Sequence, residues 1–202
     1  MKNNVGKNLE KCASILLNGG VVAFPTETVM GLGVVYDNEE SYNRLNIIKG
    51  RPDSKPYTMM LAGVADIAKY AYVDERSKKV IDAFMPGPIT VLLRAKENVP
   101  SYVTHGTGII GIRVPDFDLL TELLKKVNKP LLVPSANPSG KPSAVTPVQV
   151  LVYFGETLDY IYDYKSNGEL PSTIVDLTGK EVKIIREGKI TEEFIVNTIK
   201  EK

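Results

Sequence analysis

The stretch "GGVVAFPTETVMGLGVVYDN" (residues 19–38) decides the fold class. Its two glycines stop whatever precedes them, because glycine takes the left-handed conformation past a helix end at little cost. "VVAF" (21–24) then reads as a short buried strand that Pro25 ends, and "GLGVVY" (31–36) as a second strand. Upstream, Leu9, Cys12, Ala13, Leu16 and Leu17 recur at helical spacing, so residues 8–18 are predicted to form an amphipathic helix. Cys12 is then a small core residue rather than a nucleophile. Downstream, Asp37 or Asn38 is placed to cap a helix over 39–48, with Leu45 and Ile48 facing inward.

The same alternation continues along the chain. "YTMML" (57–61), "ITVLL" (89–93), "IIGIRV" (109–114) and "LLVP" (131–134) read as strands, with helices over 64–70, 75–84 and 119–127, the second of them capped by Asp74. "TPVQ" (146–149) carries a capping-box signature for a helix through Phe154. "DYIY" (159–162), "TIVDL" (173–177) and "VKII" (182–185) complete the sheet before a last helix over 192–200. Strands alternate with helices while hairpin-like pairs come late. The expectation is one α/β domain over residues 8–202, with a twisted, mixed parallel and antiparallel sheet flanked by helices. Repeats, low-complexity tracts and linkers are absent from the sequence.

Composition narrows the function classes. The 202 residues are 43% hydrophobic and 24% charged, an ordinary globular balance. A net charge of +1 argues that any polyanion is met by a local patch and not by the field of the whole protein. One Cys and one His exclude the usual zinc arrangements and any disulfide framework. The start "MKNNVGKNLEK" has no apolar h-region and no apolar run is long enough for a bilayer, so a cytoplasmic, soluble protein is expected.

Two unusual segments remain. "KGRPDSKP" (49–56) puts Lys49 and Arg51 two positions apart at a helix end that Pro52 enforces. In extended chain such residues lie on one side, and Lys and Arg there can converge on one anion. The competing reading is a solvated helix C-terminus, which favours cations anyway. "PSANPSGKPSA" (134–144) follows a strand end, where ligands bind in open α/β sheets. There Ser135 and Asn137 point the same way, and Ser139 and Ser143 extend the row of neutral donors; the competing reading is a proline-rich surface loop. The expectation is that the two segments face each other across an anion-binding cleft. Other chemistry is weakly signalled. "GLG" (31–33) is half a dinucleotide fingerprint, no phosphate loop exists, and no G-x-S-x-G elbow accompanies His105. His105 is expected to face solvent. The ten tyrosines lack an RNP-like framework and are expected in the core or at edges.

"GGVVAFPTETVMGLG", "KGRPDSKP", "FMPGPITVLL", "IGIRVP", "PSANPSGKPSA", "STIVD" and "IIREG" occur in the order of the YrdC/TsaC family, the threonylcarbamoyl-AMP synthases, which the chain resembles from about residue 10 to its end. The resemblance implies synthesis of threonylcarbamoyl-adenylate and pyrophosphate from L-threonine, bicarbonate and ATP. It further implies passage of the product to transfer proteins that modify tRNA adenosine beside the anticodon. It places Lys49 on the ATP phosphates or the carbamate, with Arg51 in the same region including the threonine carboxylate. Ser135, Asn137 and Ser143 would hold the nucleotide, with Arg186 on a phosphate. Thr26, Arg113, the backbone at Val133 and Ser172 would line the threonine pocket. No protein-bound metal is implied; Mg²⁺ would arrive with ATP, held by its phosphates. Two residues depart from the pattern: Met30 stands where many members have an aromatic, and Met60 where some have His. Longer members carry a second domain, and the chain looks like the single-domain form. Two alternatives stand beside this reading. One is a carbamoyl-adenylate activity like that of the related domain in hydrogenase-maturation carbamoyltransferases, and the other an RNA-binding factor or a weak RNA or tRNA contact.

Overall fold

Strands that are apolar on both faces need cover on both sides, and that requirement arranges the chain. A computed structural model describes residues 4–50, 56–168 and 170–200. The first half runs β1 (Val5–Gly6), α1 (Leu9–Leu17), β2 (Val22–Phe24), β3 (Gly31–Val35), α2 (Glu39–Lys49) and β4 (Thr58–Met60). A 3-10 turn (Val64–Asp66) then leads into α3 (Ile67–Tyr70), followed by α4 (Glu75–Phe84) and β5 (Ile89–Arg94). The second half runs α5 (Ser101–Thr104), β6 (Ile109–Arg113), α6 (Asp118–Val127), β7 (Leu131–Leu132) and α7 (Pro147–Phe154). It closes with β8 (Tyr160–Tyr162), β9 (Thr173–Asp176), β10 (Lys183–Arg186) and α8 (Glu192–Lys200).

The strands form one mixed sheet in the order β1-β8-β2-β3-β7-β4-β6-β5-β9-β10. Pairs β1·β8, β2·β8, β4·β6 and β5·β9 are parallel, and β2·β3, β3·β7, β4·β7, β5·β6 and β9·β10 antiparallel. The mixed sheet is as the sequence led one to expect, but the placement of hairpins is not. β2 and β3 already pair antiparallel near the start, with Phe24 opposite Gly31. The six residues between them carry too little turn signal to announce a hairpin. β1 and α5, two and four residues long, were not anticipated either.

Period-2 alternation decides which helix covers which face. Val22 and Phe24 pack with Cys12, Ala13 and Leu16 of α1 and with Leu120, Leu123 and Val127 of α6. Their neighbours Val21 and Ala23 join the opposite cluster, with Leu45 of α2, Val80 and Ile81 of α4, Val150 of α7 and Ile195 of α8. Caps fix the helix starts. Asn38 Oδ1 accepts from the Ser41 N–H at 2.9 Å, Asp74 from Ser77 at 2.7 Å, and Thr146 with Gln149 forms the reciprocal capping box. α2 ends on Gly50 in the left-handed region (φ 55°, ψ 40°), whose N–H returns to the carbonyls of Asn46 and Ile47. Pro52 and Arg51 lie outside the described residues.

Candidate active site

A cavity of about 140 Å³ opens where the β2–β3 turn, β4, the end of β6, the chain leaving β7, the approach to β9 and the end of β10 meet. One wall is the turn of residues 26–30. The Thr26 N–H donates to Ser166 Oγ (3.2 Å), and the Thr26 carbonyl accepts from the Asn167 N–H (3.4 Å). Met30 donates its N–H to the Ala144 carbonyl (2.8 Å) and accepts from the Ala136 N–H (2.7 Å). Residue 168 must be glycine here: a Cβ would stand 2.6 Å from the Glu27 carbonyl oxygen and 2.8 Å from that of Thr28. Neighbouring chain therefore clamps the turn from both sides.

Two arginines line the cavity, and no carboxylate does so among the described residues. Arg113, at the end of β6, is buried and pairs its Nη2 with Glu27 Oε1 at 2.7 Å. Nη1 and Nη2 both donate to Thr28 Oγ1, at 3.3 and 3.2 Å. Glu27 Oε1 also accepts the Asp116 N–H at 3.1 Å, which ties the ion pair to the chain after β6. Arg186, at the end of β10, is an exposed residue whose guanidinium is nonetheless anchored. Nε donates to the Ser172 carbonyl (2.9 Å) and Nη2 to Ser172 Oγ (3.2 Å), which itself lies 3.0 Å from Thr90 Oγ1. Burial of its head group, and secondarily the charge of Arg113, lower the Arg186 pKa from its ordinary value. Arginine stays protonated regardless. Two cations within electrostatic reach of each other therefore favour an anion in the cavity.

The part of the lining that carries Ser135 is built differently. Lys49, the last residue of α2, is buried at 3% exposure, so the solvated-helix-end reading does not hold. Its Nζ donates to the carbonyls of Ser135 (2.5 Å) and Asn137 (2.7 Å), and its own carbonyl accepts the Ser139 N–H (2.9 Å). The helix end and the loop after β7 are thus in direct contact, with the lysine clamping the loop's backbone, where a cleft between the two segments was expected; residues 51–55 of the first segment lie outside the described residues. Ser135 Oγ donates to Asn137 Oδ1 at 2.6 Å, which confirms that these side chains turn to the same side. Asn137 Nδ2 donates onward to the carbonyls of Pro138 and Lys141. Ser135 lines the cavity, whereas Lys49, Asn137 and Ser143 do not. The row of donors does not extend as expected: Ser139 is exposed, and Ser143 is half-buried away from the cavity.

Of the residues singled out from sequence, Thr26, Arg113, Val133, Ser135, Ser172 and Arg186 come together around one cavity. Arg51 lies outside the described residues. The Val133 N–H already donates to the Thr58 carbonyl at 2.8 Å. Met30 and Met60, the two departures from the family pattern, are both buried and both line the cavity. Glu27, Thr28 and Thr90 were not singled out. Glu27 and Thr28 sit inside the quoted "PTET", but their partner Arg113 is 85 residues from Thr28, so only the fold reveals the pairing. His105 is corrected: it is half-buried, with Nε2 3.0 Å from the Tyr42 hydroxyl, against an edge-packed group of tyrosines. Cys12 is fully buried, and burial pushes its thiol up to about 12, which keeps it unreactive.

The profile of the Sua5/YciO/YrdC family, described as telomere recombination, matches residues 14–188. The chain belongs to this family. Among its relatives, a putative threonylcarbamoyl-AMP synthase of Methanocaldococcus jannaschii is 36% identical over 91% of this chain and 87% of its own length. A threonylcarbamoyl-AMP synthase of Vibrio cholerae is 33% identical over 90% of this chain and 98% of its own. The crystal structure of Pyrococcus abyssi Sua5 complexed with L-threonine superposes with a TM-score of 0.91 at 31% identity. That match covers 98% of this chain and 60% of the longer Pyrococcus protein.

Proposed function

We propose that this member of the family is an L-threonylcarbamoyladenylate synthase, which joins L-threonine, bicarbonate and ATP and releases pyrophosphate and water. One observation carries the reading. In a chain whose relatives bear that name, Arg113 and Arg186 line a single cavity that contains no carboxylate among its described residues. ATP and bicarbonate are anions and threonine carries a carboxylate, and these groups repel one another in water. A cavity with two fixed cations offsets that repulsion and holds the reactants at bonding distance.

No covalent intermediate with the protein is needed. The threonine amine attacks the carbon of bicarbonate, and loss of water leaves a carbamate. A carbamate oxygen then attacks the α-phosphorus of ATP, and the bond to pyrophosphate breaks. In this proposal Arg113, Thr26, Val133 and Ser172 form the threonine pocket together with Arg51. Ser135, Asn137 and Ser143 hold the nucleotide, with Arg186 on a phosphate. Lys49 serves the nucleotide side through the loop it clamps, since its ammonium bonds to the carbonyls of Ser135 and Asn137. Thr26 is the least suited to a hydroxyl contact with substrate, because its Oγ1 is already bonded to Val29 and Thr28.

Among the described residues, no group of three His, Cys, Asp or Glu side chains could hold a metal ion. In this proposal Mg²⁺ arrives on the ATP phosphates, where it would balance charge, and no step is routed through a protein-held metal. The product would pass to threonylcarbamoyl-transfer proteins acting on tRNA, with at most a weak direct contact between this chain and RNA. Among the described residues no helix is long and apolar enough to cross a membrane, and the proposal places the enzyme in the cytoplasm. The test is pyrophosphate release from ATP with each reactant omitted in turn. Release only when L-threonine and bicarbonate are both present supports the assignment, and equal release without threonine refutes it.

A further inference from the structure

Two asparagines in the chain are followed by glycine, in the pairs Asn18–Gly19 and Asn167–Gly168. In such a pair the glycine amide nitrogen can attack the asparagine side-chain carbonyl carbon, because no Cβ on the second residue blocks the approach. The attack needs a nitrogen that is not held in a hydrogen bond and a side chain free to turn. Both asparagines are exposed, so exposure does not separate them.

Hydrogen bonding does. At the end of α1 the Gly19 N–H donates to the Leu16 carbonyl at 3.0 Å, and Asn18 Nδ2 donates to the Ser14 carbonyl at 2.8 Å. Nucleophile and electrophile are both tied down there. At the second pair neither is: among the described residues, the Gly168 N–H and the Asn167 carboxamide make no hydrogen bond. Nor can residue 168 gain a side chain, since a Cβ would meet the carbonyls of Glu27 and Thr28. The packing that clamps the turn of residues 26–30 therefore also keeps an unhindered nitrogen behind Asn167.

We propose that Asn167–Gly168 is a site of spontaneous deamidation that releases this clamp. The Gly168 nitrogen bonds to Asn167 Cγ, and the bond from Cγ to Nδ2 breaks. Ammonia leaves with the proton that the Gly168 nitrogen gives up. Water then adds across one of the two C–N bonds of the cyclic imide, giving aspartate or, by opening on the main-chain side, isoaspartate. Nothing is oxidised or reduced, and water is the only co-reactant. Isoaspartate lengthens the main chain by one carbon between two points that hold the turn. One is the Asn167 N–H on the Thr26 carbonyl, and the other is Gly168 against the carbonyls of Glu27 and Thr28. Either product also adds a carboxylate to a surface hollow already lined by Asp116 and Asp118, where like charges push residue 167 outward. This chemistry is independent of the substrates that the cavity takes.

The test incubates full-length protein at mildly alkaline pH and locates converted residues by peptide mass spectrometry with enzymatic isoaspartyl methylation. Asn167 should convert at least about tenfold faster than Asn18, where two hydrogen bonds must first open. Asn167→Gln, whose longer side chain would have to close a larger ring, should stay unconverted. Amide hydrogen exchange over residues 26–30 should rise about tenfold in aged wild-type protein and stay within about twofold in equally aged Asn167→Gln. Equal conversion at the two asparagines, conversion of Asn18 alone, or no conversion at either overturns the inference. Unchanged exchange over residues 26–30 in protein converted at Asn167 overturns it as well, because the clamp would then have survived the modification.

Discussion

On one wall of the cavity Arg113 and Arg186 present cations among side-chain partners: Glu27, Thr28 and Ser172. Lys49, which does not line the cavity itself, drives its ammonium onto the backbone carbonyls of Ser135 and Asn137, and the wall it supports offers neutral groups. Both walls are built around a cation, but with opposite effect. A guanidinium has five donors in a plane, so it can be fixed by two or three bonds and still meet a ligand. A lysine on two carbonyls is a clamp on the chain. The contrast shows that a basic residue in a motif says little about its job until its partners are known.

The largest effect that separates the walls is on stability. Arg113→Ala should cost about 3–5 kcal/mol in urea unfolding, because it leaves the Glu27 carboxylate buried without its counter-charge. Arg186→Ala removes bonds from an exposed residue and should cost less than about 1 kcal/mol. It should nevertheless lose about 30- to 1000-fold in turnover, if its cation faces a reacting phosphate. Equal stability losses in the two variants would erase the distinction between an interior-built and an edge-built arginine.

A smaller effect is expected on the other wall. Lys49→Met leaves two carbonyls without their charged donor and should cost about 1–3 kcal/mol. The truncation would be nearly neutral only if Lys49 lay in a solvated loop, which its burial excludes. KM for ATP should rise with it, since the freed loop carries Ser135 and Asn137. Unchanged stability by thermal unfolding would mean that the clamp contributes nothing.

Smaller still, Ser135→Ala and Asn137→Ala should each raise KM for ATP by the equivalent of about 0.5–1.5 kcal/mol. Each removes the same 2.6 Å bond, so the double variant should cost less than the two together. Strict additivity would show that the two side chains act apart.

Much of this was legible in the chain. The caps at Asn38, Asp74 and Thr146 are local chemistry, and each was found where the residue types placed it. The strands other than β1 were found because alternate residues of an apolar run serve two faces. That the two odd segments lie near each other was also legible, since both follow the ends of regular elements, but their direct contact through Lys49 in place of a cleft was not. What was not legible is direction. Spacing put Lys49 at a helix end but could not say whether its ammonium turns to solvent, to a ligand or to carbonyls 86 and 88 residues away. Nor could it pair Glu27 with Arg113, or join Ser172 to Arg186, because those contacts depend on the order of strands in the sheet. The bond between Ser172 and Arg186 also blurs the division drawn from sequence, in which the first served threonine and the second the nucleotide.

The two-wall account is tested most directly by titrating L-threonine and ATP separately into Arg113→Lys and Asn137→Ala by calorimetry. Arg113→Lys keeps a charge but loses the planar fork. The account predicts that it weakens L-threonine by about tenfold or more and leaves ATP within about twofold, whereas Asn137→Ala weakens ATP alone. Equal losses for both ligands in either variant, or losses on the opposite ligands, would contradict it.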